Sequence, residues 1–397
     1  MATRILSGIT VLDLTRVMSG PYCTLMLADM GARVIKIEHP GRGDDTREWG
    51  PPFVGDESVY FLSVNRNKES LTLDFKHPDG RRILEALLAH ADVLVENFRP
   101  GTLQRLGLDY ESLASRFPRL VYASVSGYGH TGPLKDLPGY DAVVQAEGGL
   151  MSLTGDPNGP PYRLGLPIAD LVAGLFAAQG ILLALIARAA NGRGRHVDIS
   201  MLDSVAGLLT YQAANYLTTG HNPPRMGNAH ASIVPYGTFD TRDGQLMLAV
   251  GNDDQWRRFC DAAGLSELVS DPRFSTNPQR VENREVLWPI VARALGVRDR
   301  DDWTARLRKV GVPCGPVRTI GETLADPQLE ARGMIASLQH PAAGDLRLVA
   351  NPVKLSDTPA VPDMPAPLLG QHTESILTGD LGLSRQELDE LRRNHVV

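Results

Sequence analysis

Asp170 is the lone carboxylate in the most apolar stretch of the chain, running from Leu166 to Ile186. A carboxylate taken out of water is costly unless something specific satisfies it. The helix-forming run that follows predicts Asp170 as a helix N-cap. A helix N-terminus also stabilises an anion, and its free N–H groups can bind a second one. No Ser-His-Asp order, G-x-S-x-G elbow, Walker loop or H-E-x-x-H pair accompanies it. What remains is one placed carboxylate among several glycine loops, a set suited to acyl transfer through a covalent aspartyl intermediate.

Other candidates follow strand-like runs. Ligands of open α/β sheets gather at the carboxyl ends of strands, so Asn97, Arg99 and Arg105 around Glu96-Asn-Phe-Arg-Pro-Gly101 are candidates for polar or phosphate contacts. The loop Gly41–Arg47 sets two cations among glycines, which suits a phosphate, although a solvated loop explains it as well. Ser126–Pro133 is a glycine loop carrying His130, an acid/base candidate set against an ordinary solvated histidine. Gly227–Gly237 is a polar turn that feeds a strand, and its Asn228 and His230 are candidates to face a substrate. Glu38 stands where dinucleotide-binding folds place a ribose-binding carboxylate, but the Thr15–Pro21 loop lacks G-x-G-x-x-G. A solvated strand end is the reading for Glu38, and nicotinamide or flavin chemistry is set aside.

The elements that must position these residues alternate. Strand-like Thr10–Leu14, Arg33–Glu38, Asp92–Glu96, Leu120–Val125 and His196–Ser200 are separated by helical Tyr22–Met30, Gly80–His90, Tyr110–Arg116 and the long apolar run. This predicts a parallel sheet covered by helices. From residue 231 to 318 short strands (Tyr236–Phe239, Gln245–Val250) mix with helices (Gln255–Ala263, Asn283–Leu295, Asp301–Val310), a smaller α+β unit. Pro352 to Pro367 reads as an extended segment crossing a surface, followed by a helix over Ser384–Arg393.

At 397 residues the chain has room for two domains, with 43% hydrophobic and 22% charged residues and a net charge of −6. That balance argues against a nucleic-acid partner. The apolar run is long enough to span a bilayer, but Asp170, Gln179, two glycines and Pro167 interrupt it, which predicts a buried core helix and no membrane association. Three scattered cysteines, Cys23, Cys260 and Cys314, offer no metal spacing and no disulfide framework, so the expected location is the reducing cytoplasm.

Several segments together resemble the family III CoA-transferases, the formyl-CoA and carnitine CoA-transferase group related to α-methylacyl-CoA racemases. They are Gly8–Pro21, Val34–Glu38, Glu96–Gly101, Gly165–Gly174, Gly311–Pro316 and Pro367–Thr373. The resemblance implies a Rossmann-like large domain, a smaller α+β domain and an interlocked homodimer. It divides the chain into residues 1–200 of the large domain, a linker at 201–225, the small domain at 226–318, a return linker at 319–350, and 351–397 completing the large domain. It also implies Asp170 as nucleophile and CoA contacts at Val17, Lys76, Asn97 and Arg105. Met18 and His39 occupy two further cofactor-binding positions where formyl-CoA transferases carry glutamine and arginine. A shielding tetraglycine loop is also missing, which argues against formate or oxalate as substrate.

The racemase branch is similar to this chain except at its base. Those enzymes place histidine in a Gly-His-Asp triplet, and here the stretch reads Gly139-Tyr-Asp141. Tyrosine is a poor base near neutral pH, so CoA transfer is favoured over racemisation. The expected reaction moves CoA from an acyl-CoA to a free carboxylic acid with no permanently bound cofactor and no metal. The Gly227–Tyr236 segment resembles members that use succinyl-CoA and dicarboxylates. Arg47, Tyr140, Arg163, Asn228 and His230 are the candidate substrate contacts, and a non-catalytic CoA-binding protein is the remaining alternative.

Overall fold

The computed structural model describes residues 4–357 and 362–397. Six parallel strands form the main sheet: β1 (Thr10–Asp13), β2 (Arg33–Glu38), β3 (Lys68–Thr72), β4 (Val93–Glu96), β5 (Val121–Ser126) and β6 (His196–Ser200). Their order is β3-β2-β1-β4-β5-β6. The order reverses between β1 and β4, and the crevice at such a switch point is where open α/β sheets receive ligands. The expected α/β class with a Rossmann-like parallel sheet is therefore present. The edge strand β3 escaped the sequence reading because Lys68 and Glu69 break its apolar pattern.

Alternate residues of each strand feed two cores. On one face Val11, Val34, Val93, Val95, Val121 and Ala123 pack with helix α1 (Ser19–Asp29) and the long helix α5 (Ile168–Asn191). On the other, Leu12, Ile35, Leu71, Leu94 and Tyr122 pack with α2 (Pro78–Leu88) and with Leu388 and Leu391 of the C-terminal helix, Arg385–Arg393. Helix α3 (Tyr110–Ala114) precedes β5, and α4 (Asp141–Glu147) lies between β5 and α5. Helix α5 buries a face of small residues, Ala169, Ala173, Gly174, Ala177 and Ala178. A Cβ at Gly174 would meet the Ser19 carbonyl oxygen at 2.6 Å, so glycine there lets α5 lie directly on α1. The opposite face leaves Leu175, Phe176, Leu182, Leu183 and Ile186 exposed. Among the described residues α5 is the one helix long and apolar enough to cross a membrane, and its small-residue face is spent on α1 and the sheet.

The chain divides into two compact units. The first holds residues 1–151, 163–221 and 328–397 and contains the sheet. Of the segment expected as a return linker, 319–350, residues 328–350 fall in this unit and include an antiparallel hairpin, Ile335–His340 with Gly344–Val349. The proline-rich stretch includes residues 358–361, which lie outside the described residues. Its later part docks where Asn67 Oδ1 accepts the Asp363 and Met364 N–H groups at 2.8 and 2.9 Å. Pro367–Thr373 then seats along β3, with the Gly370 N–H on Ser70 Oγ at 2.9 Å and the Thr72 N–H on Thr373 Oγ1 at 3.1 Å.

The second unit holds residues 152–162 and 222–327. It contains an antiparallel sheet of Tyr236–Asp240, Gln245–Ala249 and Cys314–Pro316. Helices Asp253–Ala263, Arg284–Leu295 and Arg300–Lys309 cover it around Trp256, Phe259, Phe274 and Trp303.

Candidate active site

Asp170 is not the N-cap of α5. The helix begins two residues earlier at Ile168, with Pro167 at its cap position and no side chain of its own capping it. The cap comes from elsewhere in the chain. Asp141 Oδ1 accepts the Ala169 N–H at 2.8 Å and the Asp170 N–H at 3.4 Å. Gln145, one turn along α4, donates to Asp141 Oδ2 at 2.7 Å and to the Leu166 carbonyl at 3.3 Å, and accepts the Leu164 N–H at 2.9 Å. The approach to the helix is thus stitched to α4, and the Asp170 side chain, spared from capping, faces the cavity.

Burial, and then the neighbouring Asp141 charge, push the Asp170 carboxyl up to about 7, while a hydrogen bond with Ser19 opposes the rise. The helix dipole was expected to keep it ionised; desolvation outweighs that effect. Near neutral pH both protonation states are populated, which suits a group that must attack and later leave.

A cavity of about 200 Å³ surrounds Asp170, lined among others by Arg16, Val17, Ser19, Asn97, Tyr140 and Asp141. These residues come from the loops after β1, β4 and β5, so the cavity opens at the carboxyl ends of the strands around the switch point. A second cavity of about 370 Å³ holds His39, Lys76, Arg42 and Phe75. Arg16, Phe98 and Arg99 line both cavities. Of the expected residues, Val17, Asn97 and Tyr140 therefore join Asp170, and His39 and Lys76 join each other next door.

Others sit elsewhere. Met18 is buried beside Leu25 and Val64 and lines neither cavity. Arg105 is exposed on the turn after Gly101 and also lines neither. Arg47 is committed to structure: its guanidinium makes two 2.7 Å bonds to Glu38, donates to the Pro367 carbonyl at 3.1 Å and lies 3.7 Å from the Phe61 ring centroid. Glu38 is accordingly a buried anchor and not a solvated strand end; it also accepts from Ser70 Oγ and the Asp44 N–H. Arg163 is exposed and donates to the neighbouring Leu164 carbonyl. In the second unit Asn228 donates to Thr238 Oγ1 at 3.0 Å, and His230 accepts the Ser232 N–H at 3.1 Å beside the Tyr236 ring. His130 lies apart from Asp170, in a third cavity with Glu96, His196 and Asp198.

Sequence reading missed Asp141, Ser19, Arg16 and Tyr60. Burial first, then the charges of Asp170 and Asp141, raise the Tyr60 phenol to about 12, so it stays protonated beside the site. Asp141 stood in the Gly-Tyr-Asp triplet, but a cap supplied from 28 residues away has no local signature.

Comparison with known proteins gives concordant results. The model of CoA-transferase family III matches residues 6–373. A human succinyl-CoA:glutarate CoA-transferase is 42% identical over 392 residues, covering 99% of this chain and 90% of the relative. An acetyl-CoA:oxalate CoA-transferase of Acetobacter aceti is 44% identical over 350 residues, 88% of each chain. The crystal structure of a CaiB/BaiF family protein from Brucella suis superposes with a TM-score of 0.86 at 42% identity, covering 94% of this chain and 98% of that one.

Proposed function

The chain belongs to CoA-transferase family III, and from that premise we propose that it passes CoA from succinyl-CoA to a second dicarboxylic acid through covalent intermediates on Asp170. The observation that carries the mechanism is the Asp170 carboxyl itself: part-buried, poised near neutrality and facing a cavity at the switch point of the sheet. Ionised Asp170 attacks the thioester carbonyl; the C–S bond breaks and CoA thiolate leaves a mixed anhydride. The thiolate then attacks the aspartyl carbonyl, expelling the donor carboxylate and leaving an aspartyl-CoA thioester. The acceptor carboxylate attacks that thioester and again releases thiolate. Attack of the thiolate on the acyl carbonyl of the second anhydride gives the new acyl-CoA and returns free Asp170. Each step exchanges one acyl bond for another of similar energy, so no nucleotide hydrolysis is required.

The paired cavities suit the two ends of CoA. The larger one, with Arg42, Lys76 and Arg99 beside His39, offers three cations to phosphates. Phe98, Arg99 and Arg16 lead from there towards Asp170, where Val17 and Asn97 flank the thioester. The acceptor assignment draws on the relatives, whose named acids, glutarate and oxalate, are both dicarboxylates. Oxalate, disfavoured by Met18 and His39, therefore belongs among the acids to be tried. With Arg47 occupied by Glu38, Arg16 is a stronger candidate for the distal carboxylate, alongside Arg163. The exposed apolar face of α5 is suited to a second copy of the chain, in keeping with an interlocked homodimer. The free thiols of Cys23, Cys260 and Cys314 suit a reducing, cytoplasmic setting.

The test is to incubate the protein with succinyl-CoA and a panel of free acids and to follow new acyl-CoA species by mass spectrometry. Enzyme with succinyl-CoA alone should gain one CoA mass per site, mapped to the peptide holding Asp170 and converted to a hydroxamate by hydroxylamine. A CoA adduct on Cys23, Cys260 or Cys314, or none at all, would remove Asp170 as nucleophile.

A further inference from the structure

Val17 adopts a left-handed backbone, with φ +70°. For a β-branched residue this is an outlier that persists only where its surroundings enforce it. Three consecutive residues of this loop are gripped from outside it. The Lys36 ammonium donates to the Thr15 carbonyl at 2.9 Å. Asn97 brackets Arg16, accepting from its N–H at 2.9 Å and donating to its carbonyl at 2.7 Å. Asp44 Oδ1 accepts the Val17 N–H at 3.3 Å. Lys36 and Asp44 are joined at 2.8 Å, and both side chains are 0% exposed. Lys36 belongs to β2, Asp44 to the glycine loop beyond it and Asn97 to the loop after β4, so three segments converge on one short turn.

The turn they hold is a wall of the Asp170 cavity. Val17 and Ser19 line it, and the Ser19 side chain hydrogen-bonds to Asp170. A buried ion pair is a weak way to stabilise a fold, because desolvation of two charges offsets most of their attraction. Under a strained loop beside the reacting carboxylate it has another use.

We propose that Asp44 is a positioning residue for acyl transfer: anchored by Lys36, it holds Val17 in the left-handed conformation and so fixes the wall that presents the thioester to Asp170. Asp44 exposes no side-chain surface and acts through Val17. The inference rests on the reading of Asp170 as nucleophile.

A double-mutant cycle on the full-length enzyme tests it. Asp44→Ser keeps a short cap for Thr46 but reaches neither the Val17 N–H nor Lys36. It should lower kcat about 100-fold while changing KM for acyl-CoA less than about 3-fold, because the fault is in alignment rather than affinity. Glycine takes a positive φ without strain, so in a Val17→Gly background the same Asp44→Ser change should lower kcat by less than about 5-fold. Equal losses in both backgrounds would overturn the proposal, since Asp44 would then act through general stability. If Asp44→Ser does not fold, Asp44→Asn keeps an amide oxygen for the Val17 N–H and should hold kcat within about 5-fold of wild type; a loss near 100-fold that Val17→Gly does not reduce refutes the idea. Hydrogen exchange at the Val17 amide separates this proposal from the functional reading. Asp44→Ser should abolish its protection whether or not the wild-type protein transfers CoA, and retained protection would refute the grip.

Discussion

Asp141 holds the peptide N–H of Asp170 at 3.4 Å while its charge opposes ionisation of the Asp170 side chain. One carboxylate thus places the other and sets when it is reactive. Because Asp141 also accepts the Ala169 N–H, it takes the part of the missing N-cap.

The pH profile should report this relationship. Only ionised Asp170 attacks, so kcat/KM for acyl-CoA should rise through a limb near pH 7 in the free enzyme. Asp141→Asn keeps the cap acceptor and removes the charge, so the limb should move to lower pH. A profile unchanged in Asp141→Asn would show that the limb belongs to another group.

Stability should carry the opposite sign. The folded-state pKa of Asp170 is raised above its unfolded value, so its contribution is complete in acid and is lost as pH rises through about 7. Asp170→Asn cannot ionise. At pH 8 it should melt about 2–4 °C higher than wild type, and the gain should shrink as pH falls below 7 and vanish only at about pH 4, where unfolded aspartate also holds its proton. Turnover should be abolished at every pH; retained turnover would end the covalent mechanism.

Arg47 should prove to be a structural residue. Arg47→Met strands Glu38 in the interior and should cost about 3–5 kcal/mol of stability. Its partner Arg47 holds the Glu38 carboxyl below its usual range. The pair is therefore fully stabilising at pH 7 and fades as pH falls through that lowered value, so the mutant's deficit should shrink in acid. A normal melting curve with a raised KM for the dicarboxylate would return Arg47 to the substrate.

Racemisation should be absent. In deuterated water a 2-methylacyl-CoA should gain no deuterium at its α-carbon, because Tyr140 is a poor base and His130 lies in another cavity. Rapid α-exchange, read by mass spectrometry, would make Tyr140 a proton carrier and reverse the choice of transferase.

The exposed face of α5 should be an interface between copies. Leu183 is 59% and Ile186 69% exposed on a helix whose other face is buried. Wild type should sediment as a dimer even at about 0.1 μM, since interlocked chains separate only on unfolding. Leu183→Glu with Ile186→Glu should yield monomer or aggregate. Reversible dissociation of the wild type on dilution would exclude threading.

Much of the fold was legible in the sequence because it depends on local patterns. Apolar runs of four to six residues alternating with helical stretches fixed five of the six strands of the sheet and its class. The second unit's three longest helices were read within a few residues of their observed ends, and its short helices Asn277–Glu282 and Ile320–Leu324 were not. The edge strand Lys68–Thr72 and the hairpin Ile335–Val349 were not, because charged and polar residues break their alternation and only pairing with a neighbour defines them. The importance of Asp170 was also plain, since a lone carboxylate in so apolar a run needs a reason.

What the residues around Asp170 do was decided only by the tertiary structure. Glu38 read as a solvated strand end and Arg47 as a phosphate or substrate contact, and they found one another under Phe61 because the short loop between them folds back over the sheet. Asp141 reaches the start of α5 across 28 residues, and His130, nearer to β5 in sequence, turns towards Glu96 instead. Sequence determines which groups can ionise and which segments are apolar, because those are properties of single residues and their near neighbours. Their state depends on desolvation and on charges a few ångströms away, and these exist only once the loops after β1, β4 and β5 have been brought to one end of the sheet.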